Sequence, residues 1–363
     1  FDQQRTMVTK IAVTGANGFI GAHCVIALLK NGFQVVAVVR DPSNDEKTEF
    51  LKEEAAKVEK QDNLSFAAGD LYKEGSYDEA FQDCDGVLHT AAVVEVGHVK
   101  DPEATVVRPS VEGTANVIKS IKKNLDTVKR YVHFSSVAAV QSLEKPTDHV
   151  FVDSDWNEWS TLKTDSYGVA KTRAEKLVWD DEDLQKSVEI VALNPAIVLG
   201  PCLCKAHTKS STVFIRQILY GNPISNYNGS FVDVRDVANA AAFAFQKSEA
   251  AGKRFIICGT EPSNTMILND HVKKVRPWVK GSPAKYSPAV INMLSMVGSV
   301  PLLSQWGMNE FQKAMFERLI KFDATQSKEV LGVTYTSIED TCGDTVDSMK
   351  NYVKVENWGG EKS

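Results

Sequence analysis

Cysteine is scarce in this sequence, and its charges almost cancel. Six cysteines in 363 residues are too few for the disulfide framework of a small secreted domain, so we expect reduced thiols and a cytoplasmic location. The 41 lysines and arginines and the 47 acidic residues give a net charge of -6. Binding to nucleic acid requires clustered positive charge, and we therefore expect no nucleic-acid partner.

Long apolar segments are absent as well. No apolar run reaches the roughly 20 residues that a membrane-spanning helix needs, and residues 1–10 lack the apolar core of a signal peptide. Apolar residues make up 43% of the chain and charged residues 24%, proportions that are typical of a globular protein. We expect a soluble protein without a membrane partner, in which residues 1–6 and 356–363 are tails.

The first half of the sequence alternates short apolar runs with stretches of helical length. The predicted strands are Ile11–Thr14, Val35–Val39, Leu64–Ala67, Val87–His89, Tyr131–Phe134 and Ile190–Leu193, and the predicted helices are Phe19–Lys30, Glu46–Lys60, Ser76–Gln82, Pro102–Lys123 and Tyr167–Lys186. Strands separated by helices indicate βαβ units and a parallel sheet covered on both faces. We therefore predict an α/β fold with a doubly wound parallel sheet of the Rossmann type over residues 7–199.

Beyond about residue 200 the alternation becomes irregular and helical patterns dominate. Helices are predicted at Thr212–Tyr220, Asp236–Lys247, Asn269–Val279, Glu310–Ile320 and Ile338–Tyr352, and short strands at Phe231–Val232 and Arg254–Cys258. The pattern indicates a smaller, mostly helical part over residues 200–355, which we expect to bind the substrate. We also expect the chain to return to the first domain near residues 229–260.

A glycine-rich turn joins the first predicted strand to the first predicted helix. Gly15 permits a tight turn, Gly18 lets the backbone approach a pyrophosphate, and Gly21 lets the helix pack closely on the strand. The G-x-x-G-x-x-G spacing differs from the common dinucleotide fingerprint, but its place at the first strand-to-helix junction favours a dinucleotide site over a purely structural turn. The residues predicted to hold the phosphates are Gly15, Asn17, Gly18, Phe19, Ile20 and Gly21.

The residues after the second strand indicate which dinucleotide binds. An NAD site usually has an acidic residue there for the ribose 2′-hydroxyl, whereas an NADP site has a cation for the 2′-phosphate. The planar guanidinium of Arg40 suits a phosphate, and Lys47 adds a second positive charge. The alternative is a solvated Arg40 with Asp41 facing the ribose. We predict NADP(H) as the cofactor.

Two further strand ends are predicted to contact the cofactor. Asp70 and Leu71 follow the third strand, where they are placed to bond to the adenine and pack against it. Ala91 and Ala92 follow the fourth strand, and their small side chains would let the cofactor lie across the sheet. The alternative is that all four residues are ordinary strand ends.

Tyr167 and Lys171 are four residues apart, which places a phenol and an ammonium on one face of a predicted helix. Carbonyl reduction needs a proton donor, and we expect the lysine, together with the positive nicotinamide, to lower the pKa of the phenol from about 10. Ser136 follows the fifth strand, at the edge where doubly wound folds bind ligands, and Ser135 is the alternative for holding a carbonyl oxygen. We predict Ser136, Tyr167 and Lys171 as catalytic residues, against the alternative of a surface tyrosine with a solvated lysine.

In this order, these motifs resemble those of the extended short-chain dehydrogenase/reductases. The similarity is greatest to the group of dihydroflavonol reductases, cinnamoyl-CoA reductases and yeast-type methylglyoxal (ketone) reductases. Besides the glycine turn and the catalytic residues, it rests on residues 39–42, 166–176, 193–201, 231–238 and 321–332, and it spans residues 8–350.

The resemblance implies NADPH-dependent reduction of a ketone or aldehyde in a small organic substrate, with Tyr167 as general acid, by a monomer or homodimer. It places Pro195 beside the nicotinamide carboxamide, Val198 among the cofactor-binding residues, and residues 200–230 and 285–310 around the substrate. Where the group often has a substrate-contacting asparagine, this sequence has Gln141. The asparagine of a proton relay in many relatives is replaced near Ser110. These departures leave the substrate and the relay unassigned.

Several other interpretations fit parts of the sequence. An NAD-dependent alcohol or 3β-hydroxysteroid dehydrogenase would use the same catalytic residues, and a non-catalytic NADP-sensing protein would keep the glycine turn. A sugar-nucleotide epimerase is disfavoured because the Ser136 segment lacks the flanking Val-Tyr-Gly of those enzymes. We expect no metal site at Cys202, Cys204 and His207, which lack a fourth ligand and paired spacing. His89 and His133 are predicted to be hydrogen-bonded core residues.

Overall fold

The computed structural model describes residues 9–92, 101–222, 224, 226–282, 293 and 310–355. The strands are β1 (Lys10–Thr14), β2 (Gln34–Val39), β3 (Leu64–Ala68), β4 (Gly86–His89), β5 (Arg130–Phe134), β6 (Val150–Phe151), β7 (Glu189–Pro195), β8 (Ile197–Leu199), β9 (Asn228–Gly229), β10 (Phe231–Asp233), β11 (Lys253–Ile257), β12 (Ser263–Asn264) and β13 (Lys321–Phe322). The helices are α1 (Phe19–Lys30), α2 (Asp45–Lys57), α3 (Arg108–Lys123), α4 (Ser166–Trp179), α5 (Glu182–Ser187), α6 (Val213–Leu219), α7 (Val234–Gln246), α8 (Thr265–Val275), α9 (Glu310–Glu317) and α10 (Ile338–Met349).

A seven-stranded sheet in the order β3-β2-β1-β4-β5-β7-β11 forms the centre of the protein. All neighbouring strands in it are parallel, and the register places Thr14 of β1 opposite His89 of β4. The strand order reverses at β1, so the carboxyl ends of β1 and β4 border the crevice in which doubly wound sheets bind ligands. The predicted doubly wound parallel sheet is confirmed.

Helices cover both faces of the sheet and bury its strands. In β1, the consecutive residues Ile11, Ala12 and Val13 have no exposed surface, which requires cover on both sides. On one face α1 packs against α7, and α1 is apolar around most of its circumference. On the other face α3 and the segment that precedes β4 enclose a second apolar cluster.

The C-terminal half has an apolar cluster of its own but does not form a separate run of chain. Residues of α6, α8 and α10 pack together with Leu199 and Phe231. The chain nevertheless returns to the first half, because α7 lies on α1 and β11 forms the edge of the main sheet beside β7. A domain boundary near residue 199 remains a prediction. The predicted tails lie outside the described residues.

Two predicted helices differ most from the structure, and the predicted helix Asn269–Val279 lies four residues earlier, as α8. Ser76–Gln82 forms hydrogen-bonded turns rather than a helix, because Gly75 takes a positive φ of 76° and the Ser76 hydroxyl bonds to the backbone of Asp70. The predicted helix Tyr167–Lys186 is divided into α4 and α5, since the carboxylate of Asp181 accepts the N–H of Leu184 and caps a new helix. Among the described helices, none combines the length and the apolar character that crossing a bilayer demands.

Candidate active site

The glycine turn is packed so tightly that two of its glycines cannot be replaced without displacement. Gly15 has a φ of +65°, and a Cβ there would lie 2.8 Å from the Cα of Ala91. A Cβ on Gly21 would lie 2.2 Å from the carbonyl oxygen of Gly15. Gly18 is exposed, and a Cβ there would meet only that same oxygen, at 3.2 Å. The turn thus packs against the end of β4 and has its open side at Gly18.

The start of α1 fits an anionic ligand. Its first turn contains no acidic residue, and no side chain caps it. Backbone N–H groups at a helix N-terminus and the helix dipole both favour a phosphate at this place. The residues predicted to hold the pyrophosphate therefore fit a dinucleotide, and Asn17, Phe19 and Ile20 lie on the same turn and helix start.

Among the residues after β2, the positively charged side chains are more available than the carboxylate to bind a ribose or its 2′-phosphate. Arg40 is exposed at the end of β2, and within the described residues it forms no ion pair; Lys47 is exposed in the first turn of α2. The carboxylate of Asp41 accepts hydrogen bonds from the backbone N–H of Ser43 at 3.1 Å and from its hydroxyl at 2.6 Å, which lowers the Asp41 pKa. Asp41 is thus engaged in a local turn.

The other predicted cofactor residues lie at the same edge of the sheet. The carboxylate of Asp70 accepts the N–H of Tyr72 at 3.0 Å, and Leu71 packs against Gly113, where a Cβ would be 3.0 Å from its Cδ2. The N–H of Ala91 donates to the hydroxyl of Thr14 at 3.3 Å. Ala92 follows it and is exposed. Contacts of these residues with the adenine or the nicotinamide stay predictions.

Two residues at the end of β7 and in β8 were predicted to bind the cofactor. Pro195 is buried opposite Ile257 of β11. Val198 is buried in β8, where it pairs with Val232 and belongs to the main apolar core. The segment at residues 285–310, expected around the substrate, lies outside the described residues except for Met293 and Glu310.

The structure brings the three predicted catalytic residues together. α4 begins after Asp165, whose carboxylate accepts the N–H of Gly168 at 3.1 Å, and it presents Tyr167 and Lys171 on successive turns. The Ser136 hydroxyl lies close enough to the Tyr167 phenol to lower its pKa. The ammonium of Lys171 donates to the carbonyl of Phe134, the last residue of β5, at 3.4 Å. The phenol, the hydroxyl and the ammonium therefore meet at the carboxyl end of β5.

Burial dominates the electrostatics of this group. It lowers the pKa of Lys171 from 10.5 to about 8, against the opposing effect of the Glu175 carboxylate. It raises the pKa of Tyr167 above its ordinary value, and the neighbouring Ser136 hydroxyl offsets only part of that increase. The prediction was that Lys171 and a positive nicotinamide would lower the Tyr167 pKa. In the protein alone the direction is opposite, because desolvation disfavours the phenolate more than its neighbours stabilise it.

The two serines at this strand end have different partners. The Ser135 hydroxyl donates to the buried carboxylate of Glu175 at 2.5 Å, whereas the Ser136 hydroxyl lies beside Tyr167 and accepts the N–H of Ala138 at 3.1 Å. This favours Ser136 over Ser135 as the residue that holds a carbonyl oxygen.

The two positions at which the sequence departs from its relatives are also described. Gln141 is buried directly after the short 3₁₀ turn that follows Ser136. The hydroxyl of Ser110 donates to the carbonyl of Val106 at 2.7 Å, so it bonds within its own helical segment. A contact between Gln141 and a substrate stays a prediction.

Sequence reasoning missed the role that His207 has in joining the C-terminal half to the glycine turn. Its Nδ1 accepts the N–H of Leu203 at 3.2 Å, so its Nε2 carries the proton and donates to the carbonyl of Asn17, also at 3.2 Å. The ring contacts Phe19 edge-on, with centroids 5.7 Å apart. Burial lowers the His207 pKa to about 4, which keeps the ring neutral. Within the described residues, no group of three metal-ligand side chains is found, here or elsewhere.

The two histidines on the central strands are both buried and hydrogen-bonded, as expected, but one ring nitrogen of His133 lacks a partner among the described residues. His89 Nδ1 lies 2.8 Å from the Thr14 hydroxyl. His133 Nδ1 lies 3.0 Å from the Tyr131 hydroxyl, whereas its Nε2 has no hydrogen-bond partner in the described part of the chain. Burial lowers the pKa of both rings, so each is neutral and neither is placed to act as an acid.

Comparison with known proteins identifies the family. The sequence profile of the NAD dependent epimerase/dehydratase family matches residues 11–258. The chain belongs to that family. Among known proteins, cinnamoyl-CoA reductase CAD2 from Medicago truncatula is 31% identical over 345 residues, which cover 94% of this chain and 95% of that protein. Dihydroflavonol 4-reductase from Arabidopsis thaliana is 30% identical over 343 residues, or 91% of this chain and 86% of that protein.

Solved structures of two reductases have a similar fold. Gre2 from Candida albicans in complex with NADPH gives a TM-score of 0.77 at 27% identity, covering 95% of this chain and 100% of that one. Yeast methylglyoxal/isovaleraldehyde reductase Gre2 complexed with NADPH gives a TM-score of 0.75 at 28% identity, covering 94% and 99%. The resemblance to the extended short-chain dehydrogenase/reductases, inferred from the motifs, is confirmed.

Proposed function

We propose that this family member reduces the carbonyl group of a small ketone or aldehyde with NADPH, and that Tyr167 is the general acid. The chain is an NADP-dependent oxidoreductase, as its family and its NADPH-bound structural relatives indicate. The finer proposal rests on one observation, that the Ser136 hydroxyl lies beside the Tyr167 phenol with Lys171 one helical turn away. Two hydroxyls so placed can bind one carbonyl oxygen between them.

Each of these side chains has a separate part in the proposed reaction. NADPH, when bound, supplies the hydride that the carbonyl carbon accepts. The Ser136 hydroxyl orients and polarises the carbonyl oxygen, and the Tyr167 hydroxyl gives its proton to that oxygen as the C–O double bond becomes a single bond. The phenolate left on Tyr167 is stabilised by the charged Lys171. The raised pKa of Tyr167 keeps the phenol protonated until the substrate accepts the proton.

The residues proposed for the cofactor are the glycine turn, the residues after β2 to β4, Pro195 and Val198. The uncapped start of α1 would receive the pyrophosphate. Arg40 and Lys47 would hold the 2′-phosphate, since Asp41 is bonded to Ser43. Lys171 would also donate to the hydroxyls of the nicotinamide ribose. Asp70, Leu71, Ala91 and Ala92 are proposed to surround the adenine and the plane of the cofactor.

The test is NADPH oxidation with a panel of small ketones and aldehydes. We expect wild-type turnover, and a kcat lower by about 100-fold or more in Tyr167→Phe and in Lys171→Ala, as for loss of a general acid. Tyr335→Phe is the control, because its hydroxyl bonds to Ser327 at 2.7 Å and to the N–H of Cys258 at 3.3 Å, away from α4. It should leave kcat unchanged. Turnover that survives Tyr167→Phe would contradict the proposed acid.

The same assay separates the alternatives. A dehydrogenase that uses NAD would bind NADH more tightly than NADPH and oxidise alcohols faster than it reduces carbonyls. A protein that only senses NADP would bind NADPH but turn over no carbonyl in the panel.

All six cysteines are free thiols, which supports a reducing compartment, and we propose a cytoplasmic enzyme that acts as a monomer or homodimer.

A further inference from the structure

A carboxylate without any exposed surface lies one helical turn beyond Lys171. Glu175 is on α4 and is 0% exposed. Burying a charged carboxylate is costly unless it is paired and hydrogen-bonded, and here both oxygens have donors. Oε1 accepts from the Arg254 Nε at 2.6 Å and from the Trp179 Nε1 at 3.2 Å. Oε2 accepts from the Ser135 hydroxyl at 2.5 Å.

The arginine that pairs with Glu175 is itself held firmly. Arg254 comes from the edge strand β11, and its Nη1 donates to the carbonyls of Asp153 and Asp155, at 2.6 Å each. Its guanidinium lies 3.7 Å from the centroid of the Trp156 ring, a cation–π contact. With the guanidinium fixed on three sides, the Glu175 carboxylate has a defined position as well as a counter-charge.

One asparagine connects this carboxylate to the proposed catalytic serine. The Nδ2 of Asn194, in β7, donates to Glu175 Oε2 at 2.8 Å and to the backbone carbonyl of Ser136 at 3.1 Å. The hydroxyl of Ser135 binds the same carboxylate oxygen. The strand end that carries Ser136 is therefore bonded, directly and through Asn194, to the helix that carries Tyr167 and Lys171.

Glu175 is also the anion that interacts electrostatically with Lys171. The titratable groups whose charges interact with this lysine are Glu175 on its own helix, His89 on β4 and His133 on β5. The lysine charge lowers the pKa of both histidines, so they are neutral neighbours. Tyr167 lies one turn earlier on α4, with its phenol protonated. The carboxylate thus opposes the burial that would otherwise remove the proton from Lys171.

We propose that Glu175 is a positioning residue, which aligns the strand end at Ser136 with α4 and keeps the Lys171 ammonium charged. It acts through these neighbours and does not touch the reacting atoms. The inference rests on the proposed function for its kinetic consequences. Its effect on the charge of Lys171 is independent of that function and is measurable without cofactor or substrate.

The experiment compares Glu175→Gln with Glu189→Gln. Glutamine keeps the shape of Glu175 and removes its charge. Glu189 is the matched control, because it pairs with the buried Arg130 at 2.9 Å at the opposite end of β5 and β7. Loss of either carboxylate leaves a buried arginine without its partner, so both variants lose stability. Only the first should change the titration of Lys171, followed by lysine ¹⁵Nζ NMR in the cofactor-free protein and assigned with Lys171→Arg.

We expect the pKa of Lys171 to fall in Glu175→Gln by about one pH unit, the size of an opposite charge one helical turn away. The alkaline limb of the kcat profile for NADPH-dependent reduction should shift down with it. Glu189→Gln should leave the pKa of Lys171 and the alkaline limb of the kcat profile at their wild-type values. A Lys171 titration that is equal in wild type and Glu175→Gln would overturn the proposal.

A second variant keeps the test decisive if Glu175→Gln does not fold. Glu175→Asp retains the charge beside Arg254 but withdraws it by one methylene from Ser135 and Asn194. We expect the alkaline limb of its kcat–pH profile to stay in place. Its kcat should fall several-fold, because the strand end at Ser136 and α4 lose their alignment. A wild-type kcat in this variant would contradict the positioning role. If wild type reduces no carbonyl, the proposed function fails, and the NMR titration still decides whether Glu175 keeps Lys171 charged.

Discussion

Acid should weaken this protein through the histidines that join its C-terminal half to the cofactor turn. Burial lowers the pKa of His207 from 6.5 to about 4, and the pKa of His23 by the same amount. His207 Nε2 donates to Asn17, and the His23 Nε2 lies 2.9 Å from the carbonyl of Pro201. Protonated His207 would lose its bond from the N–H of Leu203, since its Nδ1 would no longer accept.

The sign and size follow from the two pKa values. Between pH 6.5 and pH 4 the unfolded chain binds protons that the folded protein does not, so stability falls as the pH falls through this window. For one ring, the free energy of unfolding drops by about 2 kcal/mol between pH 7 and pH 5. The full loss for one ring, reached below its folded pKa, is about 3 kcal/mol.

The assay is urea unfolding of wild type and His207→Gln at pH 7 and pH 5. Glutamine can accept from Leu203 and donate to Asn17 but does not titrate. We expect the variant to lose about 2 kcal/mol less than wild type between the two pH values, while the contributions of the other histidines cancel in the difference. His23→Gln should behave in the same way. The reasoning is refuted if His207→Gln loses as much stability as wild type.

The remaining predictions concern the cofactor site. Arg40→Ala should raise the Kd for NADPH about 10-fold or more, the worth of a charged hydrogen bond, and leave the Kd for NADH unchanged in fluorescence titrations; equal losses for both would remove Arg40 from the 2′-phosphate. Gly15→Ala should lower the free energy of unfolding by about 1–3 kcal/mol and weaken NADPH binding, because its Cβ would lie 2.8 Å from Ala91 at a positive φ. Gly252→Ala is its control, with a φ of +74° and no atom within 4 Å of the new Cβ. Gly252→Ala should lower the free energy of unfolding without weakening NADPH binding. If both variants bind NADPH equally well, the tight packing at Gly15 does not matter for the cofactor.

The local parts of the fold could be predicted because short segments determine them. The predicted helix Phe19–Lys30 coincides with α1, since one apolar segment follows one glycine turn. Ser76–Gln82 was wrong because the decisive bond, from the Ser76 hydroxyl to the backbone of Asp70, depends on where a strand end lies. A stretch of residues long enough to form a helix does not indicate whether such a bond will form.

The site divides in the same way. Tyr167 and Lys171 share a helix, so their spacing alone predicted a common face, and Ser136 followed from the edge at which its strand ends. Arg254 was missed because it is 79 residues from Glu175 in sequence. The one signal in the sequence was Glu175, a charged residue among the buried residues of α4, and it did not indicate which residue pairs with it. The direction of the Tyr167 pKa was also out of reach, because it depends on burial by the whole fold.

The edge strand β11 has a consequence for how the protein is made. It comes from residues 253–257, well after β7 in the chain, yet it completes the main sheet beside β7 and brings Arg254 to Glu175. While the ribosome has not yet released this strand, β7 has an unpaired edge and Glu175 has no cation. A nascent chain that ends at residue 199 contains every proposed catalytic side chain but lacks the arginine that pairs with Glu175, so we expect activity only after β11 has been synthesised.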